Sequence, residues 1–327
     1  MFEYHLQRRV DLTASCRDAD AVSKVDGAGE VVERDGVRAQ VMHNGVVIVE
    51  GCYYGAWMTE VIRRLRGHHE PQEEAAFHAV VARLRADPPA APTMVELGSF
   101  WAYYSLWFAH ALGGARLVLV EPDPAHLEVG RRNLDLNGTS GQLVRAVIGL
   151  PDGARTVLAC ESDGIERDVD IVSVDGLMAR EGIERIDLLL CDTQGAEVAA
   201  IEGAGEALRA GRIRFLVVST HHHSISGDAL THQRCLRALL ELGAHIVAEH
   251  TVSESFSGDG LVIASMDPRD RDLTVELSRA RARDSLFGEL EADLAEAHAQ
   301  RDALAGQIDA LAAQSAAAPP PPGARRR

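Results

Sequence analysis

A single lysine, Lys24, stands among the 33 basic residues of this 327-residue chain, in a polar stretch with no helix or strand period around it. That scarcity excludes a Schiff-base lysine. No lysine follows a glycine-rich turn, so the phosphate-binding pattern GxxxxGK[ST] is excluded as well. Cysteine is nearly as sparse: Cys16, Cys52, Cys160, Cys191 and Cys235 are odd in number and never in CxxC spacing. Neither a disulfide framework nor a paired-cysteine zinc site is encoded, and a reducing cytoplasm is the expected compartment. No apolar run approaches the roughly 18 residues of a membrane span, and the opening MFEYHLQRRVDLTAS has no stretch suited to a signal peptide. Positive charge is in deficit too: 49 acidic residues leave a net charge of -16. That sign is wrong for neutralising phosphates, so nucleic acid is not an expected partner.

What is present is an apolar fraction of 46%, enough Val, Leu, Ile and Ala for a sizeable core. Residues 1–92 read as a cap: one β-like stretch, Gly45 to Glu50, and two helices, Ala56 to Leu65 and Gln72 to Arg85. The loop Asp87 to Pro92 ends that region, because its prolines do not continue a helix. Over residues 93–267 short apolar runs alternate with helical patterns, the signature of a parallel sheet covered on both faces. Strands are expected at Met94–Leu97, Leu117–Glu121, Leu143–Ile148, Leu188–Cys191, Phe215–Ser219, His245–Glu249 and Leu261–Ala264. Helices are expected at Tyr103–Leu112, Ala125–Asn137, Glu197–Arg209 and His232–Leu242. The result is an α/β, doubly wound, Rossmann-like sheet of seven strands. Residues 268–314 read as an amphipathic helix, with Leu290, Leu294, Ala297, Leu304, Ile308 and Leu311 on a 4-3 spacing. A coiled coil giving a homo-oligomer is one reading, a helix folded back on the domain the other. Residues 315–327, rich in Pro, Ala and Arg, read as a disordered tail.

The first strand of the sheet runs into Glu96-Leu97-Gly98-Ser99-Phe100-Trp101-Ala102, and the second ends in Glu121-Pro122-Asp123. Glu121 lies 23 positions after Gly98, near the roughly 20 between a Rossmann glycine turn and the acid that holds a ribose. A dinucleotide needs small residues at the next two glycine positions so that the backbone approaches the pyrophosphate. Phe100, Trp101 and Tyr103 stand there instead. A cofactor with a ribose and no phosphate, S-adenosylmethionine, fits such a loop better than a nicotinamide dinucleotide. A further strand delivers Asp192 to the carboxyl edge of the sheet, where open α/β folds bind ligands; its competing role is that of a helix cap.

These segments resemble the FkbM-type S-adenosylmethionine-dependent methyltransferases: MVELGSF followed by YYSLWFA, LVEPDPAHLEVGRRNLDLNG, VSVDGL and IDLLLCDTQGAEVAAIEGA, together covering about residues 93 to 266. Ala102 stands where the family carries glycine, and Gln194 where it carries glutamate. The resemblance implies the class I methyltransferase fold, strand order 3-2-1-4-5-7-6 with the last strand antiparallel. It also implies methyl transfer to a hydroxyl oxygen of a sugar, glycan or polyketide. By it, Glu96, Gly98 and Ser99 line the methionine end of the cofactor, Glu121 holds the ribose hydroxyls, and Asp175 and Asp192 lie near the reacting end.

The strand ending at Ser219 is followed by Thr220-His221-His222-His223. On an extended chain His221 and His223 share a face while His222 points away. A neutral imidazole titrating near pH 7 suits the removal of a hydroxyl proton, which makes His221 a candidate general base. Alternatively Asp192 with His221 or His222 holds a divalent cation such as Mg, with His232 as a further ligand. His68 and His69 are expected in a solvent-exposed loop. Three other classes compete: a nicotinamide-dependent enzyme, an iron oxygenase using His221, His223 and Asp192, and a scaffold that keeps a methyltransferase-like domain for assembly through the terminal helix.

Overall fold

The computed structural model describes residues 2–280, 295, 297–308 and 310. Residues up to Ala280 form one compact unit. Its centre is a seven-stranded sheet built from β4 (Thr93–Leu97), β5 (Arg116–Val120), β6 (Gln142–Val144), β10 (Ile186–Cys191), β11 (Ile213–Thr220), β12 (His245–His250) and β13 (Gly260–Ser265). The lateral order is β6-β5-β4-β10-β11-β13-β12, and β13 runs antiparallel to both neighbours. Counted among these seven strands, that order is 3-2-1-4-5-7-6, the class I methyltransferase arrangement.

The inner strands are buried along their whole length, as expected of strands covered on both faces. Alternation splits them between two layers. Met94, Leu119, Leu188, Phe215 and Ile263 face one core with the helix α4 (Tyr103–Leu112). Val95, Val118, Leu189, Leu216 and Val262 face the other, with α6 (Val174–Glu181), α7 (Glu197–Glu202) and α10 (Thr231–Glu241).

Residues 1–92 share the first of these cores. There β1 (Val31–Arg34), β2 (Val37–Val41) and β3 (Val47–Val49) make a small antiparallel sheet. The helices α1 (Phe2–Ser15), α2 (Ala56–Arg64) and α3 (Pro71–Ala86) surround it, and Met42, Ile48 and Phe77 are buried among the residues of α4. The clamp comes from α5 (Pro124–Leu136), started by the Asp123 side chain and Pro124. On α5 and just beyond it, Asn133 Oδ1 accepts the Val49 N–H at 2.8 Å, and Asn137 Oδ1 accepts the Val47 N–H at 3.0 Å. Two side chains thus satisfy edge groups of β3 that would otherwise lack partners.

The structure departs from the sequence reading in several places, beginning with α1, β1 and β2 of the cap, which had no expectation. The run Leu143–Ile148 is two strands: β6 joins the main sheet, while β7 (Ala146–Ile148) joins a separate sheet, order β7-β9-β8, with β8 (Arg155–Ala159) and β9 (Glu166–Val172). Those last two strands and α6 had no expectation. The helix expected over Glu197–Arg209 breaks at Gly203 and Ala204 into α7 and α8 (Gly205–Arg209). Residues 271–280, assigned by composition to the terminal helix, carry no helix. They run beside β12 and the cap, with the Val275 N–H on the Val247 carbonyl and the Ser278 N–H on Asp18 Oδ2. Of the 4-3 positions, Ala297, Leu304 and Ile308 lie in the helical stretch 297–308, the latter two exposed. Leu290, Leu294 and Leu311 fall outside the described residues, as does the tail 315–327. Among the described residues no helix is long and apolar enough to cross a membrane.

Candidate active site

A cavity of about 240 Å³ opens over the carboxyl ends of β10, β4 and β5, roofed by the cap. Its floor follows the sheet order, Asp192 after β10, Gly98 after β4, Glu121 after β5. Gly98 has φ +77°, and a Cβ on it would lie 1.7 Å from the Asp192 carbonyl oxygen. The position therefore takes no side chain, and it lets the β4 loop rest directly on the end of β10. Beyond it Phe100 and Ala102 also hold positive φ, +30° and +63°. Ala102, where the resembling family has glycine, thus adopts a glycine-like conformation, and strain of this kind clusters at functional loops.

Glu121 accepts the Phe100 N–H at 3.2 Å and the Asp123 N–H at 2.9 Å. Burial pushes its carboxyl up to about 7 against those two bonds. Phe100 stacks on His126 at 3.6 Å, beside Glu121. Glu96 lines the same cavity, accepts the Ser105 N–H at 3.0 Å, and is pushed by burial to about 8. Ser99 is buried and contributes its N–H to the Val120 carbonyl rather than a wall of the cavity. Asp175 is not brought to the cavity: its carboxylate accepts the N–H groups of Glu206 and Ala207 and caps α8.

Asp192 is 37% exposed at its side chain and lines the cavity. Its Oδ1 lies 3.1 Å from His221 Nε2, while Glu197 Oε1 lies 2.8 Å from His221 Nδ1 and Asp259 Oδ1 lies 3.8 Å from Nε2. Burial by itself would lower the imidazole; the hydrogen bonds to Asp192 and Glu197 and the charges of Asp192 and Asp259 outweigh it and raise it to about 11. The expectation was a neutral base; with a carboxylate facing each ring nitrogen, the surroundings of His221 favour the imidazolium, in which both nitrogens donate. His222 does not join it: it is exposed and caps the short helix α9 (His223–Ser226) through Ser224. His223 is exposed as well. His232 bridges Thr220 and Glu249.

Among the described residues, ligand-type side chains with donor atoms all within 4.8 Å of one another are found at His43, His68 and Glu74, in the cap. That group excludes Asp192, His221 and His222, and the Mg reading drawn from them has no geometric support. His68 and His69 are each 1% exposed, not solvated: the buried Glu74 carboxylate, held well below its usual range by the two imidazoles in spite of burial, draws both inward. His69 lines the cavity with Tyr53, Tyr54, Glu70 and Tyr104. These, with Glu197 and Asp259, are the site residues that sequence reasoning missed. The available signal for the cap residues was the pair of adjacent glutamates, Glu73 and Glu74, in the first turn of α3.

A ribose-type acid on the second strand, a glycine turn too crowded for a pyrophosphate, and an oriented carboxylate after the fourth strand define a methyltransferase of class I fold. Residues 87–246 match the family model described as the methyltransferase FkbM domain, and this part of the chain is a member of that family. No curated protein matches the chain. Among solved structures, it is similar to an O-methyltransferase from Bacillus cereus in complex with SAH: 16% identity over 59% of this chain and 81% of that one, TM-score 0.38. It is also similar to the O-methyltransferase TomG of Streptomyces achromogenes in complex with SAM, 18% identity over 60% and 79%, TM-score 0.38. The METTL16 methyltransferase domain gives 14% identity over 70% and 86%, TM-score 0.42. The cofactor of a methyltransferase of this family is S-adenosylmethionine, and the residues present fit it: Glu121 for the ribose hydroxyls, Glu96 for the methionine end, and the Gly98 turn for close backbone approach.

Proposed function

We propose that the chain is an O-methyltransferase acting on a hydroxyl of a sugar, glycan or polyketide-type natural product. The observation that supports it is the Asp192 carboxylate, exposed to the cavity and backed by His221 at 3.1 Å. S-adenosylmethionine, when bound, supplies an electrophilic methyl group on a sulfonium. A hydroxyl oxygen that attacks this carbon becomes more acidic as its new bond forms. A carboxylate hydrogen-bonded to the hydroxyl then suffices as proton acceptor, and a neutral imidazole is not required. Asp192 accepts that proton and orients the hydroxyl. His221 fixes the carboxylate, and Glu197, buried behind it, fixes His221. The cap residues Tyr53 and Tyr54, with Tyr104 of α4, exclude water from the reacting atoms and shape the acceptor end.

Calorimetric titration of the full chain with S-adenosylmethionine, beside the Glu121→Ala variant, tests the cofactor. Incubation with a panel of hydroxyl compounds, read as S-adenosylhomocysteine formed and by mass spectrometry of the product, tests the reaction. Binding lost in the variant and a methyl ether as product are expected. Absence of cofactor binding by the native chain overturns the reading.

A further inference from the structure

The acceptor end of the cavity carries more negative charge than a neutral acceptor requires. The carboxyls of Asp192, Glu197 and Asp259 surround the His221 imidazole, Glu70 lies beside His69, and Glu73 accepts the Ser219 hydroxyl. His69 Nε2 lies 3.6 Å from Glu70 Oε2, and Glu74 Oε1 draws on the same ring, 2.5 Å from its Nδ1. Arg9, stacked on Trp57 at 4.9 Å, acts on Asp259 from further off. The shortage of counter-charge shows in the titration of the group. Burial and the neighbouring Glu73 and Asp259 hold the Glu70 carboxyl well above the usual range. Burial lifts Glu73 to about 8 in spite of the Ser219 hydroxyl bonded to it, and lifts Asp259 to about 6.

Facing these carboxyls is a wall of aromatic rings. Tyr53 stacks on Trp101 at 4.3 Å with planes 6° apart, and stands edge-on to His69 and Phe100 at 5.6 and 5.4 Å. Tyr104 lines the same cavity, with its hydroxyl buried beside the Glu73 carboxyl. A carboxyl and aromatic rings lining one end of a cavity, Glu70 with Tyr53, Trp101 and Tyr104, match a protonated amine, which takes a charge-assisted hydrogen bond and a cation–π contact at once. An ammonium group at this wall would supply the counter-charge that favours the ionised form of Glu70. Glu96 and Asp192 lie on the floor of the cavity, whereas Glu70 and Tyr53 belong to the cap.

We propose that the wall formed by Glu70, Tyr53, Trp101 and Tyr104 is an ammonium subsite, and that the acceptor is a hydroxyl compound bearing a protonated amine, of the amino-sugar or amino-polyol class. The inference rests on the O-methylation reading above. The ammonium sits against Glu70 and the rings; its lone pair is tied up by the proton, so the nitrogen is not the nucleophile. The hydroxyl oxygen forms the new bond to the methyl carbon as the carbon–sulfur bond breaks, and the hydroxyl proton passes to Asp192 and on to water.

The test uses the full chain with S-adenosylmethionine and matched acceptors. Glucosamine and 2-deoxystreptamine are compared with their N-acetylated forms and with glucose and scyllo-inositol, with the methyl position read by mass spectrometry. The amines are expected to show a KM at least about tenfold lower than their neutral counterparts. Glu70→Gln and Tyr53→Leu should raise that KM about tenfold, while Tyr53→Phe, which keeps the ring face, preserves it; cofactor titration of each variant checks the fold. O-methylation with equal KM for amines and neutral counterparts overturns the ammonium subsite and leaves the O-methyltransferase reading standing. Methyl transfer to nitrogen, or to no hydroxyl in either series, overturns that reading and the subsite with it.

Discussion

His221 is held between two carboxylates, Asp192 Oδ1 at 3.1 Å from one ring nitrogen and Glu197 Oε1 at 2.8 Å from the other. The Glu197 side chain is fully buried; its first oxygen also accepts the Gly195 N–H at 2.9 Å, its second has no partner, and His221 is the cationic group bonded to it. Replacing His221 with Gln removes the cation and leaves a buried carboxylate uncompensated, a loss of about 3–5 kcal/mol in urea unfolding at pH 7. The pH dependence has a definite sign. The imidazole titrates near 11 in the folded chain and near 6.5 when exposed, so its stabilisation is complete below about 6.5 and is lost as the pH rises toward 11. Unfolding free energies at pH 6.5, 8 and 9.5 should fall steadily for the native chain, and the decline should be shallower in His221→Gln. Parallel declines would show that the imidazole is not charged in this arrangement.

Asp192 faces the cavity and His221 does not, and the kinetic consequence separates them. Asp192→Asn keeps the shape and removes the proton acceptor, so kcat should fall about 10²- to 10³-fold. Affinity for S-adenosylmethionine should change only a few-fold. A loss confined to KM would mean that Asp192 holds the acceptor without receiving its proton.

The sheet was legible because its inner strands are apolar at nearly every position, and the glycine turn with Glu121 was legible because its spacing lies within one βαβ unit. β8 and β9 were missed since their half-exposed pattern buries little apolar surface. His221 was found, but its partners were not: Glu197 and Asp259 approach it from 24 and 38 positions along the chain, and no local spacing encodes that meeting. Tyr53, His69 and Glu70 likewise reach the cavity through the docking of the cap, by its shared core with α4 and by Asn133 and Asn137.

Glu96 is buried and pushed to about 8, from an ordinary 4.5. A carboxyl raised in this way stabilises the fold fully below about 4.5 and ceases to do so as the pH rises through about 8, where the buried charge must form. Glu96→Gln keeps the acceptor for the Ser105 N–H and avoids that charge. Without cofactor, its melting temperature should equal that of the native chain at pH 5 and exceed it by about 2–6 °C at pH 9, read by scanning calorimetry. A variant that is equally stable at both ends of this range would place the Glu96 titration outside it.

Gly98 tests whether the loop after β4 must touch the end of β10. Alanine there meets the Asp192 carbonyl at 1.7 Å and is forced to φ +77°, so the left-handed backbone adds about 1–2 kcal/mol and the crowding another 1–3 kcal/mol. Gly138, after α5, also has positive φ, +59°, but nothing lies within 4 Å of an added Cβ. Gly138→Ala therefore carries the backbone cost alone and should bind S-adenosylmethionine as the native chain does. Gly98→Ala should lose more stability, and in conditions where it remains folded it should still lose cofactor binding, because the clash is relieved only by moving the loop or the Asp192 backbone. Equal losses in the two variants would show that backbone conformation, not close approach, is what Gly98 supplies.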